Sequence, residues 1–166
     1  MARGPGSFTG VKIGISITKG LSFGLDIPVV GISTLEGLCY NIPYTSYFIS
    51  PMILSRTGEV YTALYNFWGT DSINRIEPEK VFKVERWLER INEPTIFLGD
   101  GAIKYKSMIK ERLGENAIFV PGYLNYLQGS NIAFQAGKAI QAGDVSSPFT
   151  LTAEYLRAVV NEKEQR

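Results

Sequence analysis

With 166 residues, 45% of them apolar, the chain has enough hydrophobic mass to build a core in one ordinary domain or two small lobes. Seventeen basic residues against sixteen acidic ones leave a net charge of +1 with no basic block, which excludes a strong autonomous nucleic-acid surface and makes any RNA contact depend on a partner. Histidine is absent, closing histidine-based triads, HExxH zinc sites and histidine metal clusters, and the single cysteine, Cys39, cannot form an internal disulfide. Neither a secretory signal nor an apolar run of membrane-spanning length is seen, so a reducing cytoplasm and no membrane are expected, with Cys39 as a small core residue.

In chain order, the first signal is Gly4-Pro5-Gly6-Ser7-Phe8-Thr9-Gly10-Val11-Lys12-Ile13-Gly14. Gly4 and Gly6 can take positive φ angles, and Ser7 or Thr9 can cap a helix whose first amides face the loop. Such an end can cradle an anion, because unpaired N–H groups and the helix dipole favour negative charge. The spacing is not that of a P-loop, since Val11 follows Gly10 and no strand is expected before the loop. The competing reading is a packing turn. The helix is expected from Thr9 to about Phe23, with Val11, Ile13, Ile15, Ile17 and Leu21 apolar on more than one face, so it should pack on its own sheet and on something else. Gly10, Gly14 and Gly20 each cost roughly 1 kcal/mol of helix stability against alanine, which points to close approach of another backbone, naturally a partner helix.

Pro28 to Ile32 reads as a short buried strand, and Ser33-Thr34-Leu35-Glu36 as a capping box opening a helix that stops before Pro43. Tyr47 to Leu54, a turn at Ser55-Arg56-Thr57-Gly58, and Glu59 to Phe67 form a β-hairpin. Pro78 to Ile91 carries Val81, Val84, Leu88 and Ile91 at helical spacing; Thr95 to Leu98 is a strand, Ile103 to Leu113 a helix, Ala117 to Val120 a strand, and Asn131 to Ala142 a helix closed by Gly143. The polar end from Glu162 to Arg166 should fray. The alternation is that of an α/β fold. The carboxylate pairs Glu77 with Glu79, Glu85 with Glu89, and Glu111 with Glu115 read as solvated helix faces. Gly99-Asp100-Gly101-Ala102 lies between a strand and a helix, where open α/β sheets bind ligands, but the same residues make an ordinary βα turn. Gly6, Ser7, Thr9, Gly99, Asp100 and Gly101 are therefore the candidates for a nucleotide or anion loop.

The glycine-rich segment Gly4 to Lys19 resembles the signature of the TsaB (YeaZ) family. Pro28-Val29-Val30-Gly31-Ile32-Ser33-Thr34-Leu35, Gly58-Glu59-Val60-Tyr61, Gly99-Asp100-Gly101-Ala102 and Tyr155-Leu156-Arg157 are similar to later parts of the family pattern, in the same order, so the resemblance covers essentially the whole chain. It implies an ASKHA fold, the actin, sugar-kinase and Hsp70 architecture of two α/β lobes. Here residues 1–44 would be a remnant of the N-terminal lobe and residues 45–166 the C-terminal lobe, because relatives carry a further segment with a phosphate loop before the glycine-rich run. It also implies a non-catalytic scaffold for TsaD-like and TsaE-like proteins in threonylcarbamoyladenosine modification of tRNA, with tRNA reached only through the complex. TsaD holds a metal partly through histidines, which agrees with a histidine-free scaffold. Family members form homodimers, and the resemblance places Gly10, Val11, Ile13, Gly14, Ile15 and Ile17 at an interface. No cofactor is required, although weak ATP or ADP binding at an inter-subunit site is allowed. Leu54 departs from the pattern: many relatives have aspartate there, and Ser55-Arg56 keeps only the arginine. The alternatives are a general cytoplasmic protein-interaction module and a relic of an ASKHA-type ATPase or kinase.

Overall fold

The computed structural model describes residues 1–69 and 72–156. Strands β1 (Phe48–Leu54), β2 (Glu59–Trp68), β3 (Ser72–Lys83), β4 (Thr95–Leu98) and β5 (Ala117–Phe119) form one sheet in the order β3-β2-β1-β4-β5. β1, β2 and β3 run as an antiparallel meander, whereas β4 and β5 add in parallel to β1. The β1–β2 hairpin turns at Gly58, whose φ of 77° suits a residue without a Cβ. β4 is buried along its whole length, as a four-residue apolar strand flanked by parallel neighbours should be.

Helices cover both faces. On one, α2 (Thr34–Cys39) sets Leu35, Leu38 and Cys39 against Ile49, Ala63, Tyr65, Ile96 and Leu98. On the other, α3 (Val84–Leu88), α4 (Asp100–Lys104) and α5 (Lys106–Leu113) set Val84, Trp87, Leu88, Ala102 and Ile109 against Met52, Val60 and Phe97. Neighbouring positions such as Phe97 and Leu98 serve opposite faces, the period-2 alternation of a strand. Trp87 Nε1 donates to Ser50 Oγ at 2.9 Å, and Ser50 lies 3.2 Å from Thr62 Oγ1, so the indole keeps a partner inside the apolar layer. Cys39 is fully buried, as expected, and its thiol approaches the Leu35 carbonyl at 3.3 Å.

Outside the sheet, α1 (Phe8–Leu25) lies over a smaller core of Ile15, Val29 and Leu151. α6 (Gly129–Gln141) approaches α2, and Gly143, with φ 76°, follows its end, where Asp144 N donates to Ala139 O at 2.8 Å. Ser33 caps α2 by accepting from Leu35 N and Glu36 N at 3.2 and 3.3 Å. Glu36 turns its carboxylate to Arg75 at 3.6 Å.

Four expectations are corrected. Pro78 to Ile91 is not one helix: β3 runs through Lys83 and only Val84–Leu88 is helical. Pairing with β2 over Ser72 to Lys83 outweighs the 3.6-residue spacing, and Pro78 falls where Ala63 alone stands opposite two β3 residues, a bulge on an edge strand that tolerates its missing N–H. Glu77 and Glu79 consequently lie on a strand, and Glu79 is buried rather than solvated, accepting from Tyr65 Oη at 2.6 Å and pairing with Arg75 at 3.0 Å. Ile103 to Leu113 breaks at Tyr105 into α4 and α5. Pro28 to Ile32 is not a strand and makes only isolated bridges, Val29 with Ser146 and Ile32 with Ala2, and no strand precedes the glycine loop among the described residues. Arg157 and the end from Glu162 to Arg166 lie outside the described residues.

Candidate functional site

The glycine loop is held from both sides. Ile32 N donates to Met1 O at 2.8 Å, Arg3 N to Ile32 O at 2.9 Å and Thr34 N to Gly4 O at 2.8 Å, while Glu154 N donates to Arg3 O at 2.9 Å. Gly4 takes φ 110°, and a Cβ there would come within 3.0 Å of the Glu154 carbonyl. Thus the loop enters α1 at a fixed angle. Ser7, of the two expected caps, is the one used: its Oγ accepts from Gly10 N at 3.3 Å, and its carbonyl accepts from Val11 N at 2.9 Å.

The chain's two glycine-rich signals converge on one open cleft of about 250 Å³. Gly6 and Ser7 form one wall, Thr34 and Leu38 of α2 and Ile53 of β1 the floor, and Asp100, Asn125 and Tyr126 the far side. Thr9 does not line it, nor do Gly99 and Gly101. Those two glycines serve packing instead. Gly99 has φ 99°, and a Cβ on it would overlap the Met52 carbonyl oxygen; on Gly101 it would stand 2.9 Å from the same oxygen. The start of α4 thereby lies directly on the backbone of β1, and Asp100 Oδ1 accepts from Leu54 N at 2.9 Å, an amide that the departure to leucine at position 54 leaves intact.

A carboxylate in the cleft and an occupied cap at α1 make this a poor seat for phosphate, since the anion would face Asp100. What the cleft offers is a carboxylate, the hydroxyls of Ser7 and Thr34, a tyrosine, and the apolar Leu38, Ile53 and Leu127. Among the described residues no group of three or more aspartate, glutamate or cysteine side chains could hold a metal.

The far wall depends on three asparagines that carried no pattern in the sequence. Asn125 Oδ1 accepts from Gly99 N at 3.0 Å. Asn41 Nδ2 donates to Leu124 O and Tyr126 O at 2.7 and 2.8 Å, and Asn131 of α6 donates to Asn41 Oδ1 at 2.6 Å. A charge network behind α2 had no local signal in the sequence either: Glu36, Arg75, Glu79 and Tyr65 meet from α2, β3 and β2, with Glu79 and Tyr65 buried and Arg75 at the surface. Burial raises the Glu36 carboxyl above its usual value against the pull of Arg75, and burial likewise raises the Tyr65 hydroxyl, helped by the neighbouring Glu79 carboxylate.

The second candidate surface is α1, and here the expected interface divides. Ile13, Ile17 and Leu21, at four-residue spacing, are more than half exposed. Gly10, Gly20 and Gly24 are exposed as well, and a Cβ on Gly20 or Gly24 would meet nothing within 4 Å. Ile15, in contrast, is buried with Val29 and Leu151; Val11 packs against the same cluster, and a Cβ on Gly14 would touch Met1. A helix can present only one stripe outward, so Val11, Gly14 and Ile15 belong to the chain's own core and Gly10, Ile13 and Ile17 to the open face. No helix of the described residues is long and apolar enough to cross a membrane.

Comparison with known proteins agrees with this architecture. Residues 1–158 match the family model described as TsaD: tRNA N6-adenosine threonylcarbamoyltransferase. The chain is 36% identical over 160 residues to the tRNA threonylcarbamoyladenosine biosynthesis protein TsaB of Bacillus subtilis (strain 168), covering 95% of this chain and 68% of that protein. It is 32% identical over 146 residues to the TsaB protein of Escherichia coli (strain K12), covering 83% and 63%. The solved structure of YeaZ from Pseudomonas aeruginosa superposes with a TM-score of 0.72 at 26% identity, covering 93% of this chain and 72% of that one. The fold is the ASKHA-like α/β fold of these proteins, and the chain spans about two thirds of the relatives' length.

Proposed function

The chain belongs to the TsaB family, and from that membership we propose that it acts in tRNA threonylcarbamoyladenosine biosynthesis as a non-catalytic scaffold for a TsaD-like enzyme, without chemistry or a required cofactor of its own. The exposed stripe of α1 carries this reading. Ile13, Ile17 and Leu21 present a row of large apolar side chains to water, with glycines beside them that let another helix come close. An apolar row of this kind, on a helix whose opposite side is already packed, suits docking rather than catalysis. The cleft supports the same reading, because Ser7, Thr34 and Asp100 contain no histidine or cysteine to complete a nucleophile and base pair. ATP or ADP is a weak occupant of the cleft at most, and TsaE-like proteins and tRNA join through the assembly.

The test is capture of the chain with a TsaD-like protein from the same cell, followed by reconstitution. The expected result is co-purification that Ile17→Asp abolishes, and threonylcarbamoyl transfer only when both proteins are present. Turnover by the chain alone, abolished by a substitution within it, would overturn the scaffold assignment. Failure to retain any TsaD-like protein would favour a general interaction module.

A further inference from the structure

The sequence shows no basic block, yet the fold gathers one. Between positions 104 and 112 stand Lys104, Lys106, Lys110 and Arg112 against the single carboxylate of Glu111, in a chain whose whole net charge is +1. Lys106 and Lys110, one turn apart on α5, both hold their Nζ over the ring of Phe119 on the edge strand β5, at 5.1 and 6.0 Å from its centroid. Lys104 lies 5.6 Å above the Tyr105 ring. Tyr105 Oη accepts from Gly58 N at 2.8 Å, which brings the turn containing Arg56 to the α4–α5 junction. Gly58 O accepts in turn from Val84 N at 3.0 Å, which brings Lys83 to the same place. Arg56, Lys83, Lys104, Lys106 and Lys110 are exposed, and among the described residues none meets a carboxylate within 4 Å, whereas Arg3, Arg75, Arg86 and Arg90 each have an acidic partner.

Two like charges one turn apart on a helix repel, and among the described residues no carboxylate forms an ion pair with either. We infer that the surface formed by Lys106, Lys110, Lys104, Lys83 and Arg56 is a contact for the phosphate backbone of RNA. Four of the five are lysines, compact charges on flexible stems, which suits contacts that position a polyanion without reading its sequence. The partner follows from the proposed role beside tRNA, and the inference rests on that reading. Lys104, Lys106 and Lys110 stand on α4 and α5, which cover the sheet face opposite α2, and none of the five cations belongs to α1, so α1 docking and RNA contact use different residues.

The test is tRNA binding by the complex with the TsaD-like protein, titrated in KCl, comparing the unaltered chain with the double variant Lys106→Ala/Lys110→Ala and with Lys138→Ala on α6 as the control. Releasing counterions from each phosphate contact contributes about 0.7 to 0.9 to the slope of log affinity against log salt, so losing two should flatten it by roughly 1.5. Lys138→Ala should leave it unchanged, and capture of the TsaD-like protein should persist in all variants. The same titration on the chain alone at low salt reads the patch even if the scaffold assignment fails. An unaltered slope in both titrations, or loss of an acidic protein partner in place of the RNA effect, would overturn the inference.

Discussion

Gly99→Ala tests whether the Gly99-Asp100-Gly101 turn is a packing device. Gly99 has φ 99° and ψ 170°, a region that residues with a Cβ scarcely enter, at a cost of about 1–3 kcal/mol. The added methyl would also overlap the carbonyl oxygen of Met52, which belongs to the central strand and cannot swing aside as a side-chain tip would. Relief requires the start of α4 to lift from β1, which stretches the bond from Leu54 N to Asp100 and the bond from Gly99 N to Asn125, each worth about 1 kcal/mol. The sum is about 3–5 kcal/mol, a large share of the roughly 5–15 kcal/mol that holds a domain together. With a urea dependence near 2 kcal/mol per molar, the unfolding midpoint should fall by about 1.5–2.5 M. Gly101→Ala, whose Cβ would stand 2.9 Å from the same oxygen, should fall less, and Gly122→Ala, with open space around it, should stay near the parent. The assay is urea unfolding followed by fluorescence and circular dichroism. A Gly99→Ala variant within about 1 kcal/mol of the parent would refute the reasoning, because neither strain nor overlap would then be present.

On α1, Ile17→Asp should leave the unfolding midpoint within about 0.5 kcal/mol of the parent while removing partner capture, whereas Ile15→Asp, which buries a carboxylate beside Val29 and Leu151, should cost about 3 kcal/mol or more. The complete burial of Cys39, which drives its thiol well above the usual value, should keep it unreactive toward iodoacetamide until the chain unfolds; rapid labelling of the native protein would contradict its place in the core. Because burial raises the folded-state value of Glu36 above 4.5, the folded chain binds that proton more readily than the unfolded chain does. Stability from this group should therefore rise as pH falls through the raised value and level off near the unfolded one, and Glu36→Gln should flatten that part of the pH profile in thermal melts.

Local chemistry determined much of the chain from sequence alone. Ser7 and Ser33 cap the helices they precede, Gly58 turns the hairpin and Gly143 closes α6, since each depends on a residue's own backbone or on neighbours within a turn of it. Glycine-rich pieces and their order also pointed to the family. Tertiary structure decided whatever depended on residues far apart in the chain. Pairing with β2 turned the helical spacing before Val84 into strand and buried Glu79 against Tyr65 and Arg75. Contacts from Val29 and Leu151 drew Ile15 inward and left Ile13 and Ile17 facing out, a choice that an all-round apolar helix cannot record in its own pattern. The cleft required residues 6, 34, 100 and 125 to meet, and its asparagine supports are spaced by more than eighty residues, so no local period could carry them. Long-range packing places such groups by the free energy of the whole core, which a window along the chain does not contain.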